Sequence, residues 1–259
     1  MMKLYLKFLS IHFRSAMQYK TSFLLTVLGQ FLSSFTVFIG ITFMFARFDT
    51  VRGYTYNEVL LCFASILTSF SLAECFARGM DTFPSILSNG EFDRILVRPR
   101  GAVFQVLASK MEFTRIGRLV QAFLVFAYAI PTCGVTFTAD KIAVLALMIL
   151  CGALVFSGTF VLYAVICFWT TEGLEFMNIV TDGVREYGKY PFAVYGRGVL
   201  MFLTFVIPYA LVQYYPFLYL LGRAPSPLYA LTPLLSLLYL IPCAILWRIG
   251  VRHYRSTGS

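Results

Sequence analysis

Six stretches of this sequence are each long and apolar enough to cross a bilayer: Ser22 to Phe45, Val59 to Ala77, Leu119 to Phe137, Ile142 to Trp169, Phe192 to Gln213 and Leu228 to Trp247. A hydrocarbon core of roughly 30 Å requires about 20 helical residues. The runs are too long for barrel strands and show no period-two alternation, so each reads as a helix that satisfies its own backbone hydrogen bonds. With 59% hydrophobic and 13% charged residues, such a chain cannot be solvated as a globule. No internal repeat or low-complexity tract divides it. The predicted fold is an all-α membrane protein of six transmembrane helices, with residues 1–259 forming one transmembrane domain.

The formal charge of +9 raises nucleic acid as a partner, and the placement of the basic residues decides against it. With the N-terminus inside, the cytoplasmic segments hold 17 of the 21 Lys and Arg residues, leaving Arg47, Arg52, Lys141 and Arg223 outside. This asymmetry predicts that both termini are cytoplasmic and accounts for the basic balance without nucleic acid. Trp169 and Trp247 then fall at cytoplasmic ends, where an indole anchors well. Lys7, His12, Arg14 and Lys20 interrupt the first apolar residues and no small-residue cleavage site follows, so the start reads as mature protein rather than a secretory signal. Leu4, Phe8, Leu9 and Ile11 can oppose Lys3, Lys7, Arg14 and Gln18 on a helix lying in the cytoplasmic interface, with membrane lipid as its partner.

Chemistry-bearing motifs are missing. Cys62, Cys75, Cys133, Cys151, Cys167 and Cys243 are scattered, mostly within apolar runs, and read as small buried apolar residues. His12 and His253 lie near opposite ends of the chain, which argues against a histidine metal site. No P-loop, H-E-x-x-H, G-x-S-x-G or pair of intramembrane aspartates occurs, so no catalytic, cofactor-binding or metal-binding residue is assigned. A charge at mid-bilayer costs at least roughly 2.5–3.5 kcal/mol, and carriers driven by ions accept that cost to build a titratable relay. The six runs contain no such relay. Glu74 and Arg78, four residues apart, read as a snorkelling pair at the interface. If the chain moves a solute, the energy comes from elsewhere.

Two longer connections, Gly79 to Arg118 and Thr170 to Pro191, are predicted to be cytoplasmic and to carry any contact with a cytoplasmic partner. In the first, Ser88 and Glu91 have capping-box spacing and Pro99 stops a short helix after Arg98. Phe92, Ile95 and Leu96 would form its apolar side, with Glu91, Arg94 and Arg98 on another. A helix this short needs a surface to dock on, either its own bundle or a partner protein, and the partner is the preferred reading. In the second connection, Phe176, Ile179, Val180 and Val184 can form a stripe that continues the fourth span. In the first span, Thr26, Gln30, Ser33 and Ser34 share a side. Such residues serve close helix packing, or Gln30, Ser33 and Ser34 line a substrate path. Pro208 and Pro216 are expected to break the fifth span.

The stretches Ser-Asn-Gly-Glu-Phe-Asp-Arg-Ile-Leu-Val-Arg-Pro-Arg100 with Phe104-Gln105-Val106, Cys167-Phe-Trp-Thr170, and Tyr190-Pro191 leading to Ile207-Pro-Tyr-Ala-Leu-Val-Gln-Tyr-Tyr-Pro-Phe-Leu-Tyr-Leu-Leu-Gly222 resemble the type-2 permeases of ATP-binding-cassette exporters, in the six-span branch without a fused ATPase. The resemblance implies a multi-pass subunit of a prokaryotic plasma membrane that works by alternating access. It implies pairing with a second permease, identical or related, and with a cytoplasmic ATPase dimer that holds ATP and Mg. It also implies that Gly90, Glu91, Phe92, Asp93, Leu96, Arg98 and Pro99 form the element coupling ATPase closure to the bundle. The apolar, hydroxyl-bearing spans suggest an amphipathic or apolar cargo. An intramembrane lipid-modifying enzyme would need acid, base or nucleophile residues converging at one depth, and none is found; a non-transporting scaffold is the remaining rival.

Overall fold

A computed structural model describes the backbone of residues 2–170 and 175–255, and the side chains of 3–170 and 180–255. The helices in chain order are α1 (Met2–Gln18), α2 (Lys20–Arg47), α3 (Tyr56–Ala77), α4 (Phe83–Ser88), α5 (Glu91–Leu96), α6 (Ala102–Leu107), α7 (Ile116–Thr132), α8 (Ala139–Thr170), α9 (Glu175–Tyr187), α10 (Arg197–Phe205), α11 (Tyr209–Leu220), α12 (Thr232–Ser236) and α13 (Leu240–His253). Among the described residues there is no strand, and the one β-type pairing is an isolated bridge between Val51 and Tyr54. Five segments are long and apolar enough to cross a membrane: α2, α3 with the turns after it, α7, α8, and the run from Pro227 to His253. The pair α10 and α11 makes a sixth if counted as one span.

The buried centre of the bundle is α3, enclosed by α7, α8 and α11. Its start is fixed locally: Thr55 N donates to Glu58 Oε2 at 2.9 Å, which satisfies an orphan donor of the first turn. The α2–α3 connection is a tight turn in which Arg52 and Gly53 both take positive φ, closed by two hydrogen bonds of 3.0 Å between Val51 and Tyr54. We call this the turn end of the bundle. At the opposite, basic end α1 packs Tyr5 and Phe8 against Phe104 of α6, and His12 Nε2 lies 2.9 Å from the Ala108 carbonyl oxygen. Tyr254, just past α13, packs on Phe92 at the same end. Five of the six cysteines are buried, as small apolar residues are.

The fifth predicted span, Phe192 to Gln213, is not one helix. α10 and α11 meet at a bend of 113°, because Pro208 has no N–H to continue the ladder and Val206 and Ile207 both turn back to the Phe202 carbonyl. α11 then rises to the turn end, where Tyr219 donates to Asp140 at 2.9 Å and Arg223 pairs with Glu58 at 2.6 Å. The second break, expected at Pro216, does not occur, and Pro216 lies buried inside α11.

The Thr170 to Pro191 connection is also placed differently from expectation. The side chains of Phe176 and Ile179 lie outside the described residues, whereas Val180 and Val184 pack against the main core as the stripe predicts. α9 does not lie beneath the bundle; it runs back alongside α3. Arg185 sits 5.2 Å over the Phe70 ring, and the Gly188 carbonyl accepts from Cys62 at 3.5 Å and from Gln213 at 3.1 Å. Arg185 and Lys189, counted on the sequence as cytoplasmic, therefore lie level with the middle turns of α3.

Candidate functional site

The short helix α5 forms, with altered ends. Gly90 provides its N-cap in the left-handed region at φ 68°, where a side chain would be strained, and the helix ends at Leu96 rather than reaching Arg98. The expected capping box is absent: Ser88 closes α4 and its hydroxyl donates to Ser85 O at 3.2 Å. Helix α4 runs into Asn89 and Gly90 and leaves Glu91 to open a separate helix, so Ser88 cannot reach the start of α5.

Two of the three predicted apolar residues point inward. Phe92 is completely buried, 5.2 Å from Phe83, 5.5 Å from Phe168 and 5.0 Å from Tyr254, with Trp247 at 6.4 Å. These edge-on rings join α5 to α4, α8 and the end of α13, and such pairs add about 0.5–1.5 kcal/mol each beyond burial. Trp247 is thus a core residue of this cluster, not the interfacial anchor expected from its position. Trp169, by contrast, is exposed and stacks on His253 at 5.5 Å. Ile95 packs against the same core. Leu96 and Val97 face outward, Val97 with 83% of its surface free, and Glu91, Arg94, Arg98 and Pro99 are exposed around them. Asp93 is half-buried. The bundle-docking reading therefore holds for the inner face, and the outer face is exposed.

Beside α5, Glu74 departs most from its expected role. Its pairing with Arg78 at 2.9 Å is present, but the carboxylate is buried and also meets Arg115 at 3.3 Å and Arg118 at 2.5 Å. The network continues through Arg78 to Asp81 at 2.9 Å, and through Arg115 to Glu112 at 2.7 Å and on to Lys110 at 3.2 Å. Burial pushes the Glu112 carboxyl up, but the neighbouring Arg115 and Lys110 outweigh it and hold its pKa below the ordinary value. Glu74 is thus no exposed snorkelling pair; it ties α3 to the first turns of α7.

Above this network lies a cleft between α2, α3, α7 and α9. Ser33 and Ser34 of α2 line it together with Arg118, Arg185, Glu186 and Lys189. The Ser34 hydroxyl donates to the side-chain Oε1 of Gln121 on α7. Gln30 is half-buried, with its Oε1 unpartnered; Thr26 is exposed and its hydroxyl donates to Ser22 O at 2.8 Å, away from the cleft. The structure thus brings two of the three expected path residues to one cleft and adds a charged wall from outside the apolar spans. The signal lies in Arg-Glu-Tyr-Gly-Lys189, within the amphipathic connection whose stripe predicts a continuation of the fourth span.

No curated protein and no solved structure matches the chain. A family model described as "ABC-2 family transporter protein" matches residues 31–258, from the middle of α2 past the end of α13. Covering the bundle from the middle of α2 onward, that match shows that the chain is a multi-pass membrane protein belonging to the ABC-2 transporter family.

Proposed function

We infer that this chain is the permease subunit of an ATP-binding-cassette exporter. A separate cytoplasmic ATPase dimer binds ATP and Mg, and its closure drives alternating access in the bundle; a second permease, identical or related, completes the path for an amphipathic cargo. In this reading the basic end and both termini face the cytoplasm of a prokaryotic cell, α1 lies on the inner leaflet, and residues 1–259 act as a single domain.

The observation carrying the proposal is the two-sided geometry of α5. Its exposed rim of Leu96, Val97 and Arg98 offers a partner an apolar patch edged with charge, while Phe92 is gripped by rings from α4, α8 and α13. A displacement imposed on the rim reaches those helices through close-packed aromatic contacts that have no slack. Gly90, Glu91, Asp93 and Pro99 bound the element without joining the aromatic grip.

The test is recovery of an ATPase with the tagged chain in mild detergent. The triple variant Leu96→Ala, Val97→Ala, Arg98→Ala should reduce that recovery at least about tenfold while melting like the parent, because none of the three is buried. A chain that purifies alone and exports fully from liposomes lacking ATP would refute the exporter reading.

A further inference from the structure

We propose that the cleft between α2, α7 and α9 recognises an amphiphile bearing one acidic group, and that Glu186 occupies the acid's place in the resting protein. This rests on the permease reading and names its cargo class.

Three features support it. The first is the position of the charges. Arg185, Glu186 and Lys189 stand level with Ser33 and Ser34, at the midpoint of α2, and with Ile66 and Leu67, at the midpoint of α3. Charge at that depth is costly, and apolar residues of similar volume would fill the gap at lower cost. Packing alone therefore does not explain it.

The second is how the charges are shared. Arg118 is committed to Glu74, whereas Arg185 and Lys189 hold one carboxylate between them: Glu186 Oε1 lies 3.0 Å from Arg185 Nη2, and Oε2 lies 2.6 Å from Lys189 Nζ. Asp182 also reaches Arg185, at 3.3 Å, from a side chain that is 54% exposed. Both oxygens of Glu186 are engaged as those of a ligand carboxylate would be, and its side chain is 41% exposed, so it is free to swing away. An incoming acid would exchange one carboxylate for another and leave no cation stranded.

The third is the apolar half. On the other side of the Ser34–Gln121 hydrogen bond lies an open groove of about 110 Å³ lined by Phe31, Phe35, Phe38, Leu124 and Tyr128, with Gln121 at its edge. Gln121 is 1% exposed and its Nε2 has no partner among the described residues, leaving an unused donor on the boundary between the apolar groove and the charged cleft. The cleft itself holds only about 30 Å³, room for a water-sized group until Glu186 moves. The geometry thus fits an acid tip beside Arg185 and Lys189 and a chain among the phenylalanines.

The test measures binding to the whole chain in nanodiscs of phosphatidylcholine, using dodecanoate, dodecyl phosphate, dodecanol and dodecylamine. The two acids should bind at least about tenfold more tightly than the alcohol and the amine. Arg185→Gln and Lys189→Gln should each erase most of that preference, and Glu186→Gln should strengthen dodecanoate binding several-fold by removing its competitor. Equal binding of acid and alcohol, or weaker acid binding in a folded Glu186→Gln, would overturn the proposal. Competition by phosphatidylglycerol at constant surface charge would identify the acidic amphiphile as a bilayer lipid, whereas persistence of dodecanoate binding would identify a single-chain cargo. Loss of the acid preference with the ATPase still co-purifying would remove this inference alone; failure of co-purification with the preference intact would remove the exporter reading alone.

Discussion

Replacing Glu74 by Gln would leave the guanidinium of Arg118 beside a buried neutral amide and remove one of two carboxylate contacts from each of Arg78 and Arg115, which keep Asp81 and Glu112. Breaking a buried pair by removing one partner costs about 3–5 kcal/mol, so Glu74→Gln should lower the detergent melting temperature clearly, and Asp81→Asn, which removes only one contact of Arg78, should do so much less. Comparable melting of both variants would show that the arginines find other partners. Glu112 adds a pH dependence. Its folded pKa lies below the unfolded one, so its contribution to stability is present above the ordinary carboxylate value of about 4.3 and is lost as pH falls through the folded value. Glu112→Gln should therefore flatten the acid limb of a stability–pH curve and leave the slope of that curve between pH 6 and 8 unchanged. The Glu74–Arg78 pair was legible from its spacing of four. The contact with Arg118, 44 residues away, was not, because periodicity reports only neighbours on one helix.

At the scale of elements, α5 and the α2–α7 contact yield opposite kinds of variant. Phe92→Ala empties a completely buried aromatic site and should cost about 3–5 kcal/mol. Val97→Ala, at an exposed position, should change stability by no more than about 0.5 kcal/mol. Thermal melts of the two, set beside ATPase recovery, separate a folding residue from a docking residue. If Val97→Ala destabilised the chain as much as Phe92→Ala, the outer face of α5 would not be free. Gly117 lets α7 approach α2 so closely that a Cβ there would overlap the Val27 carbonyl. Gly117→Ala should push the helices apart, break the Ser34–Gln121 hydrogen bond and lower the melting temperature; an unchanged melt would show that α2 shifts freely. The amphipathic pattern of α9 was legible as a helix, but its docking site was not. A helix with one charged and one apolar side suits the underside of a bundle as well as an internal cleft, and only the partners decide: Phe70 beneath Arg185, and Cys62 and Gln213 on the Gly188 carbonyl just past the helix.

For the whole molecule, the arrangement of the two ends makes the orientation testable. Single cysteines introduced at Val97 and at Arg52 in a background without the native cysteines should react with a membrane-impermeant maleimide from opposite sides of the membrane, Val97 only after the cytoplasm is opened. Labelling of Val97 from outside intact cells would put the docking face of α5 in the wrong compartment. The hairpin of α10 and α11 enters from the turn end and reaches Thr159 with Tyr209, whose hydroxyl lies 2.9 Å from that of Thr159. This buried contact holds its apex within the bundle.

By itself the sequence determined that the chain is helical and membrane-embedded, where most spans lie, and that a short amphipathic helix follows the second one. These follow from local quantities: run length, hydropathy and the near absence of charge. The tertiary structure alone decided that Phe92 and Trp247 share one buried cluster, that Glu74 binds three arginines, that the break expected at Pro208 turns the chain back by 113° while Pro216 stays within α11, and that α9 carries its charges to the middle of α3. Each depends on which helix faces which. Hydrocarbon solvates any apolar side alike, so hydropathy carries no record of those pairings.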